Sequence, residues 1–101
     1  MKQFIVRAYD GEGKLPRRME VRPRHFENME RMKEHVLCAG GMLDGDGKMM
    51  GSLLVMEFDN RAKLDHYLAT EPYVVEHVWE RIEVEQMNVV ILDKEIIRER
   101  I

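Results

Sequence analysis

The sequence predicts an α+β domain of four strands and two helices, and three observations carry that expectation. From Gln3 to Tyr9 the side chains alternate, with Phe4, Val6 and Ala8 on one face and Ile5, Arg7 and Tyr9 on the other, the period of a strand. Further on, Phe26, Met29, Met32 and Val36 recur at spacings of three and four, which makes an apolar stripe along a helix. Asp44-Gly45-Asp46-Gly47 then stands between two apolar runs, a strong hairpin signal.

The elements follow in order. The segment DGEGKLPRR is rich in Gly, Pro and charge and reads as a loop. Pro23 suits the first turn of a helix, where its missing N–H costs nothing, so helix one is expected from about Pro23 to Leu37. A short strand, roughly Cys38 to Leu43, leads into the hairpin turn. The return strand, Ser52 to Phe58, is apolar on both faces and calls for cover on both. Asp59 or Asn60 can cap a second helix to about Leu68, with Leu64, Tyr67 and Leu68 turned inward. Pro72 breaks that pattern, and Tyr73 to Trp79 is a short helical or irregular segment. Arg81 to Leu92 reads as the last strand, with Ile82 and Val84 on one face. The tail, residues 93–101, sets Ile96, Ile97 and Ile101 among charges and either packs as an extra helical turn or frays.

This order, βαββαβ, is the ferredoxin-like split βαβ arrangement: a four-stranded antiparallel sheet with its helices on one face. Two helices cover one side of such a sheet only. A second sheet is the natural cover for the other, so a homodimer packed sheet to sheet is expected.

Composition bounds the function. A chain of 101 residues is one domain, 1–101, with a core to residue 92 and a tail beyond it. An apolar fraction of 45% with 35% charged residues describes a globular protein rather than a disordered one. The net charge of −3 argues against a nucleic-acid binder. The longest apolar runs, Leu53 to Met56 and Val89 to Leu92, are too short to cross a bilayer, so no membrane partner is expected. MKQFIVRAYD is interrupted by Arg7 and Asp10 and does not read as a signal peptide. Cys38 is the single cysteine, which fits a reducing cytoplasm and rules out an internal disulfide framework. Between Leu37 and Ala39 it reads as a small core residue, and the nine methionines as core filling.

His35, His66 and His77 lie apart, without His-x-x-x-His or Cys-x-x-Cys spacing, so no metal is expected. The DGDG turn lacks the later Glu of a calcium loop. Neither a Walker motif nor a GxGxxG fingerprint occurs, so no nucleotide or other cofactor is expected.

Several segments together resemble one family. They are the opening strand ending in AYD, the run RRMEVRPRHF, the AGGMLDGDG turn, the GSLLVMEF strand and the EPYV segment. The core Arg18, Arg22, Pro23 and His25, spaced Arg-x-x-x-Arg-Pro-x-His, is the most specific of them. The chain is similar over nearly its whole length to YciI-like (YCII-related) proteins. The resemblance implies a dimeric α+β barrel and a cleft near the histidine with an aspartate close by. It also implies relatives that break down chlorinated aromatic compounds. The family commonly has Asp-Pro-Phe/Tyr where this chain has Glu71-Pro72-Tyr73, and no catalytic role is carried over to Glu71.

The residues themselves suggest the chemistry. Read at the start of helix one, His25 sits at the positive end of the helix dipole, which disfavours imidazolium. A neutral imidazole can act as a general base, and a carboxylate on its other nitrogen would fix the tautomer. Asp44 is the first candidate for that carboxylate by resemblance, and Asp10, at the end of strand one, the second. The sequence does not choose between them. Arg18 and Arg22 suit a small carboxylated, anionic metabolite held by guanidinium forks, with Ser52 adding a hydroxyl and Tyr73 an aromatic wall.

Plainer roles stand beside each of these: a helix-end cap for His25, surface or subunit ion pairs for the arginines, turn formation for Asp44. Two functions remain. One is a cofactor-free lyase or isomerase with His25 as general base. The other is a non-catalytic ligand-binding or accessory homodimer.

Overall fold

The computed structural model describes residues 1–101. Strand β1 (Lys2–Asp10) leads through a short turn into α1 (Leu15–Arg31), and β2 (Val36–Leu43) and β3 (Met49–Phe58) form the hairpin. Helix α2 (Arg61–Thr70), the single turn α3 (Pro72–Val75) and β4 (Trp79–Met87) complete the domain. All strand pairs of the sheet are antiparallel and their order is β2-β3-β1-β4, the expected ferredoxin-like topology.

The alternation in β1 sorts its residues as the sequence implies. Phe4, Val6 and Ala8 are buried, and they stand opposite Met56, Leu54 and Ser52 of β3. On the other side Ala8 and Val6 face Ile82 and Val84 of β4. Val21 of α1, Leu64 and Tyr67 of α2, and Tyr73, Val78 and Trp79 close this core from above. The DGDG turn forms through Asp44, whose Oδ1 accepts the backbone N–H groups of Asp46 (2.8 Å) and Lys48 (3.0 Å).

Helix α1 departs from expectation at both ends. It begins at Leu15, within the segment read as a loop, because Pro16 occupies the first turn as well as Pro23 would. Pro23 lies inside the helix instead. Its missing N–H orphans the carbonyl of Met19, but both residues are on the exposed side, where water can serve that carbonyl. The helix stops at Arg31, and Val36 and Leu37, expected at its end, belong to β2. His25 is therefore deep within α1, and the dipole argument for a neutral ring at a helix start no longer applies.

Further expectations meet the structure unevenly. Cys38 is exposed rather than in the core, since it pairs with Val55 on the sheet face away from the helices. Only part of the methionine set fills the core: Met56 is fully buried, whereas Met19 and Met50 are exposed. The last strand ends at Met87, and the tail packs as a short hairpin followed by a single 3₁₀ turn, Arg98–Arg100, which supplies the extra helical turn expected there. Ile91–Leu92 pairs with Glu95–Ile96 across Asp93 and Lys94, whose positive φ angles (51° and 66°) make the primed turn a tight hairpin needs.

The open face of the sheet is divided. Across β2, β3 and the middle of β1 it presents Cys38, Met42, Leu53, Val55 and Ile5. Toward β4 it is charged, with Arg7 paired to Glu85 at 2.9 Å and Arg81 lying 4.1 Å from the Tyr9 ring centroid. No helix is long and apolar enough to cross a membrane.

Candidate active site

Beginning α1 at Leu15 places Arg18, Arg22 and His25 on one side of the helix, at spacings of four and three. That side overhangs β2 and β3 and leaves a cavity of about 610 Å³, lined among others by Arg18, Arg22, His25, Phe26, Ser52 and Tyr73. The volume suits a small organic molecule. Gly41 helps keep it open, because a Cβ there would collide with the Met49 side chain.

Arg18 is buried to a degree unusual for arginine, and its fork is fully engaged. Nη1 donates to Asp10 Oδ1 at 2.9 Å and to Oδ2 at 3.2 Å, while Nη2 donates to Ser52 Oγ at 2.8 Å. The guanidinium carbon also sits 4.7 Å from the Tyr73 ring centroid. Burial raises the Asp10 pKa above the ordinary carboxylate value, and the Arg18 charge offsets part of that rise. Arg22 differs. It is exposed, rests 4.7 Å above the Phe26 ring, and has no carboxylate within ion-pair distance.

The carboxylate that reaches His25 is Glu71. Its Oε1 lies 2.5 Å from His25 Nδ1, and the Glu71 side chain is wholly buried. Oε1 also accepts the backbone N–H of Tyr73 at 3.2 Å, and Oε2 accepts the Tyr67 hydroxyl at 2.5 Å. The local sequence explains the placement. Pro72 forces Glu71 into an extended conformation (φ −65°, ψ 122°), which ends α2 and makes Glu71 the cap of α3. Burial, and then the negative charge of Glu71, hold the Tyr67 pKa far above its ordinary value, so Tyr67 remains a donor.

With both Glu71 oxygens accepting, the geometry assigns the proton of His25 to Nδ1. Nε2 has no protein partner, yet it is not among the sealed, unpartnered atoms of the molecule, and its ring lines the cavity. The ring stacks on Tyr73 with centroids 4.2 Å apart at 18°. Burial raises the Tyr73 pKa, against the opposing charges of Arg18 and Arg22. No three His, Cys, Asp or Glu side chains are placed to hold a metal ion.

Of the residues singled out from sequence, His25, Arg18, Arg22, Ser52 and Tyr73 come together around one cavity. Asp10 joins them only behind Arg18, to which it is committed. Asp44 is exposed in the β2–β3 turn, its carboxylate occupied by local backbone N–H groups, and it does not contact His25. Tyr67 and Glu71 are the members that sequence reasoning missed. The available signal was their spacing of four across the end of α2, just before Pro72.

The fold and this cleft define a ferredoxin-like domain whose first helix carries two arginines and a carboxylate-paired histidine over the sheet. The chain matches the YCII-related domain over residues 2–88 and belongs to that family. Among solved structures it is similar to 5-chloro-2-hydroxyhydroquinone dehydrochlorinase from Burkholderia phenoliruptrix, determined in complex with 2,5-dihydroxybenzoquinone. The TM-score is 0.80 at 22% identity, covering 84% of this chain and 92% of that one. A putative antibiotic biosynthesis monooxygenase from Bacteroides thetaiotaomicron aligns with a TM-score of 0.59 at 13% identity, over 94% of each chain. Another from Nitrosomonas europaea gives 0.53 at 15%, over 89% of this chain and 99% of that one. At these identities the likeness is one of fold. Among curated proteins no sequence matches.

Proposed function

We propose that this protein is a cofactor-independent enzyme of the lyase or isomerase type, in which His25 removes a proton from a small, flat, anionic substrate. The observation that carries the reading is the 2.5 Å contact of His25 Nδ1 with buried Glu71, which leaves Nε2 turned to the cleft. Arg22, free of any carboxylate, anchors a carboxylate or similar oxyanion of the substrate, with Phe26 and Tyr73 as walls. Nε2 takes the substrate proton, and the pair of electrons left behind forms a double bond. If a leaving group stands on the neighbouring carbon, it departs with its bonding electrons and the result is elimination. If the proton returns at another carbon, the result is isomerisation.

Glu71, accepting from Nδ1, stabilises the imidazolium as it forms, while Arg18 and Arg22 favour charge developing on substrate oxygen. Membership of the YCII-related family supports this reading, as does likeness in fold to a dehydrochlorinase bound to 2,5-dihydroxybenzoquinone.

The working form in this proposal is a homodimer, joined through the apolar part of the open sheet face around Ile5, Leu53, Val55 and Met42. The exposed free thiol of Cys38 on that face fits a reducing, cytoplasmic setting.

The test is proton exchange in heavy water. Small aryl carboxylates and dihydroxy aromatics are incubated with the protein, and exchange or release of a leaving group is followed by NMR. His25→Asn keeps a polar side chain but cannot act as a base near neutral pH, so the rate should fall by roughly 10²–10⁴-fold with the fold intact. Full activity in that variant would end the proposal.

A further inference from the structure

A second cavity, of about 590 Å³, opens on the other side of Tyr67, between the C-terminal part of α1 and α2. Its charge is one-sided. Arg31 and Lys63 line it, and neither has a carboxylate within 4 Å. His35 and His66 stand beside them, and Asp59 is the single acid in the lining. Two unpaired cations that share one concavity repel each other, and an anion between them would remove that repulsion.

A second observation points the same way. Asn28 also lines this cavity and is more than nine-tenths buried, yet its Nδ2 donor has no hydrogen-bond partner. Its Oδ1 is already taken, accepting from Arg31 Nη2 at 3.2 Å, so the amide is oriented with the donor end unused. That donor is sealed from the cavity, so what Asn28 brings to the lining is its Oδ1, which fixes the Arg31 guanidinium in place. The cavity thus offers a planar guanidinium fixed by Asn28 and an ammonium, and no strong acceptor besides Asp59.

We propose that this cavity is a binding site for a small oxyanion, a phosphate or carboxylate group on a metabolite, separate from the cleft that holds His25. Arg31 and Lys63 supply the charge, and the Arg31 guanidinium, held by Asn28 Oδ1 at 3.2 Å, supplies the directional contact. His35 is held at the rim by its Nδ1–H, which donates to the Glu57 carbonyl at 2.9 Å, and by stacking on Phe58 at 4.6 Å. It is therefore a fixed reporter of occupancy.

The experiment is a titration of the full-length protein with inorganic phosphate and, separately, with acetate, at constant pH and matched ionic strength, reading the imidazole NMR signals. Signals of His35 and His66 should move in a saturable way at concentrations that leave His25 unmoved. The anion that saturates at the lower concentration identifies phosphate or carboxylate chemistry. Lys63→Gln and Arg31→Gln should each raise the half-saturation concentration by about tenfold, whereas Arg22→Ala in the other cleft should not change it. Absence of a saturable shift with both anions overturns the proposal. So does an unchanged titration in both cavity variants, or a response in which His25 moves first.

Discussion

Along α1, Arg18, Arg22 and His25 of the first half line one cavity and Asn28 and Arg31 of the second half line another, and these polar groups are treated in opposite ways. In the first half nearly every buried donor has a partner. Arg18 is held by Asp10 and Ser52, and His25 by Glu71, which is itself fixed by Tyr67 and the Tyr73 N–H. In the second half Arg31 touches only Asn28, and the Asn28 amide donor is idle. A network assembled during folding meets its desolvation cost before any ligand arrives, and it can hold a reacting group in place. Arg31, exposed and without a carboxylate partner, keeps its hydration and its charge until an anion arrives. Chemistry belongs in the first setting and simple capture in the second.

Stability is the coarsest way to break this contrast. Glu71→Ala deprives His25 Nδ1, the Tyr67 hydroxyl and the Tyr73 N–H of their common acceptor. Breaking a buried network of this kind should cost about 3–5 kcal/mol, measured by urea unfolding. Arg31→Ala, at the exposed edge of the other half, should change stability by less than about 1 kcal/mol. Similar losses in the two variants would mean that the halves are built alike.

What the sequence revealed and what it concealed divide along similar lines. The strand alternation and the DGDG turn are local patterns, and each produced its element. The stripe of Phe26, Met29, Met32 and Val36 marked a helix but not its limits or its buried face, since Phe26 is exposed and Val36 belongs to β2. Helix α1 was misplaced at its start because Pro16 and Pro23 suit a first turn equally well, and charge around Pro16 made that stretch look like a loop. Arg18 reads from sequence as a ligand fork or a surface ion pair; its burial was not legible, because arginine seldom buries and its partners come from β1 and β3. The His25–Glu71 contact spans 46 positions and depends on the bend before Pro72, which no periodicity encodes. Asp44 was favoured by resemblance, but its carboxylate is satisfied within its own turn. The tail hairpin turns on Asp93-Lys94 without the glycine that would have marked it.

Alkaline unfolding sharpens the comparison through one tyrosine in each cavity wall, Tyr73 in the first and Tyr67 in the second. Tyr67 and Tyr73 both have pKa values raised by burial, Tyr67 further by the charge of Glu71. Above about pH 10 the unfolded chain loses these phenolic protons while the folded protein keeps them. The unfolded state then binds fewer protons, so stability falls as pH rises, with each tyrosine contributing a slope of about 1.4 kcal/mol per pH unit. Below the ordinary tyrosine value the stability contribution is fully present. Tyr67→Phe should make the alkaline decline shallower by that amount, read from urea unfolding at successive pH values. Groups common to both proteins cancel in the difference. Identical slopes would show that Tyr67 ionises normally and does not seal the network.

The smallest effect concerns Arg22, the one arginine of the first half left free for a ligand. Benzoate combines a carboxylate for the guanidinium with a ring for Tyr73 and Phe26, so it should protect the fold against heat. At about tenfold excess over its dissociation constant the gain is ~1.4 kcal/mol, and it should shrink in high salt, because the exposed Arg22 charge is screened. Arg22→Ala should lose most of this protection while its own stability changes little, since Arg22 makes no ion pair and only covers the Phe26 ring. Lys63→Gln, in the other cavity, should be protected as well as the parent. Thermal melts of the three proteins with and without benzoate decide the matter. If Lys63→Gln loses as much protection as Arg22→Ala, one anion serves both cavities and the division of α1 into a catalytic half and a capturing half fails.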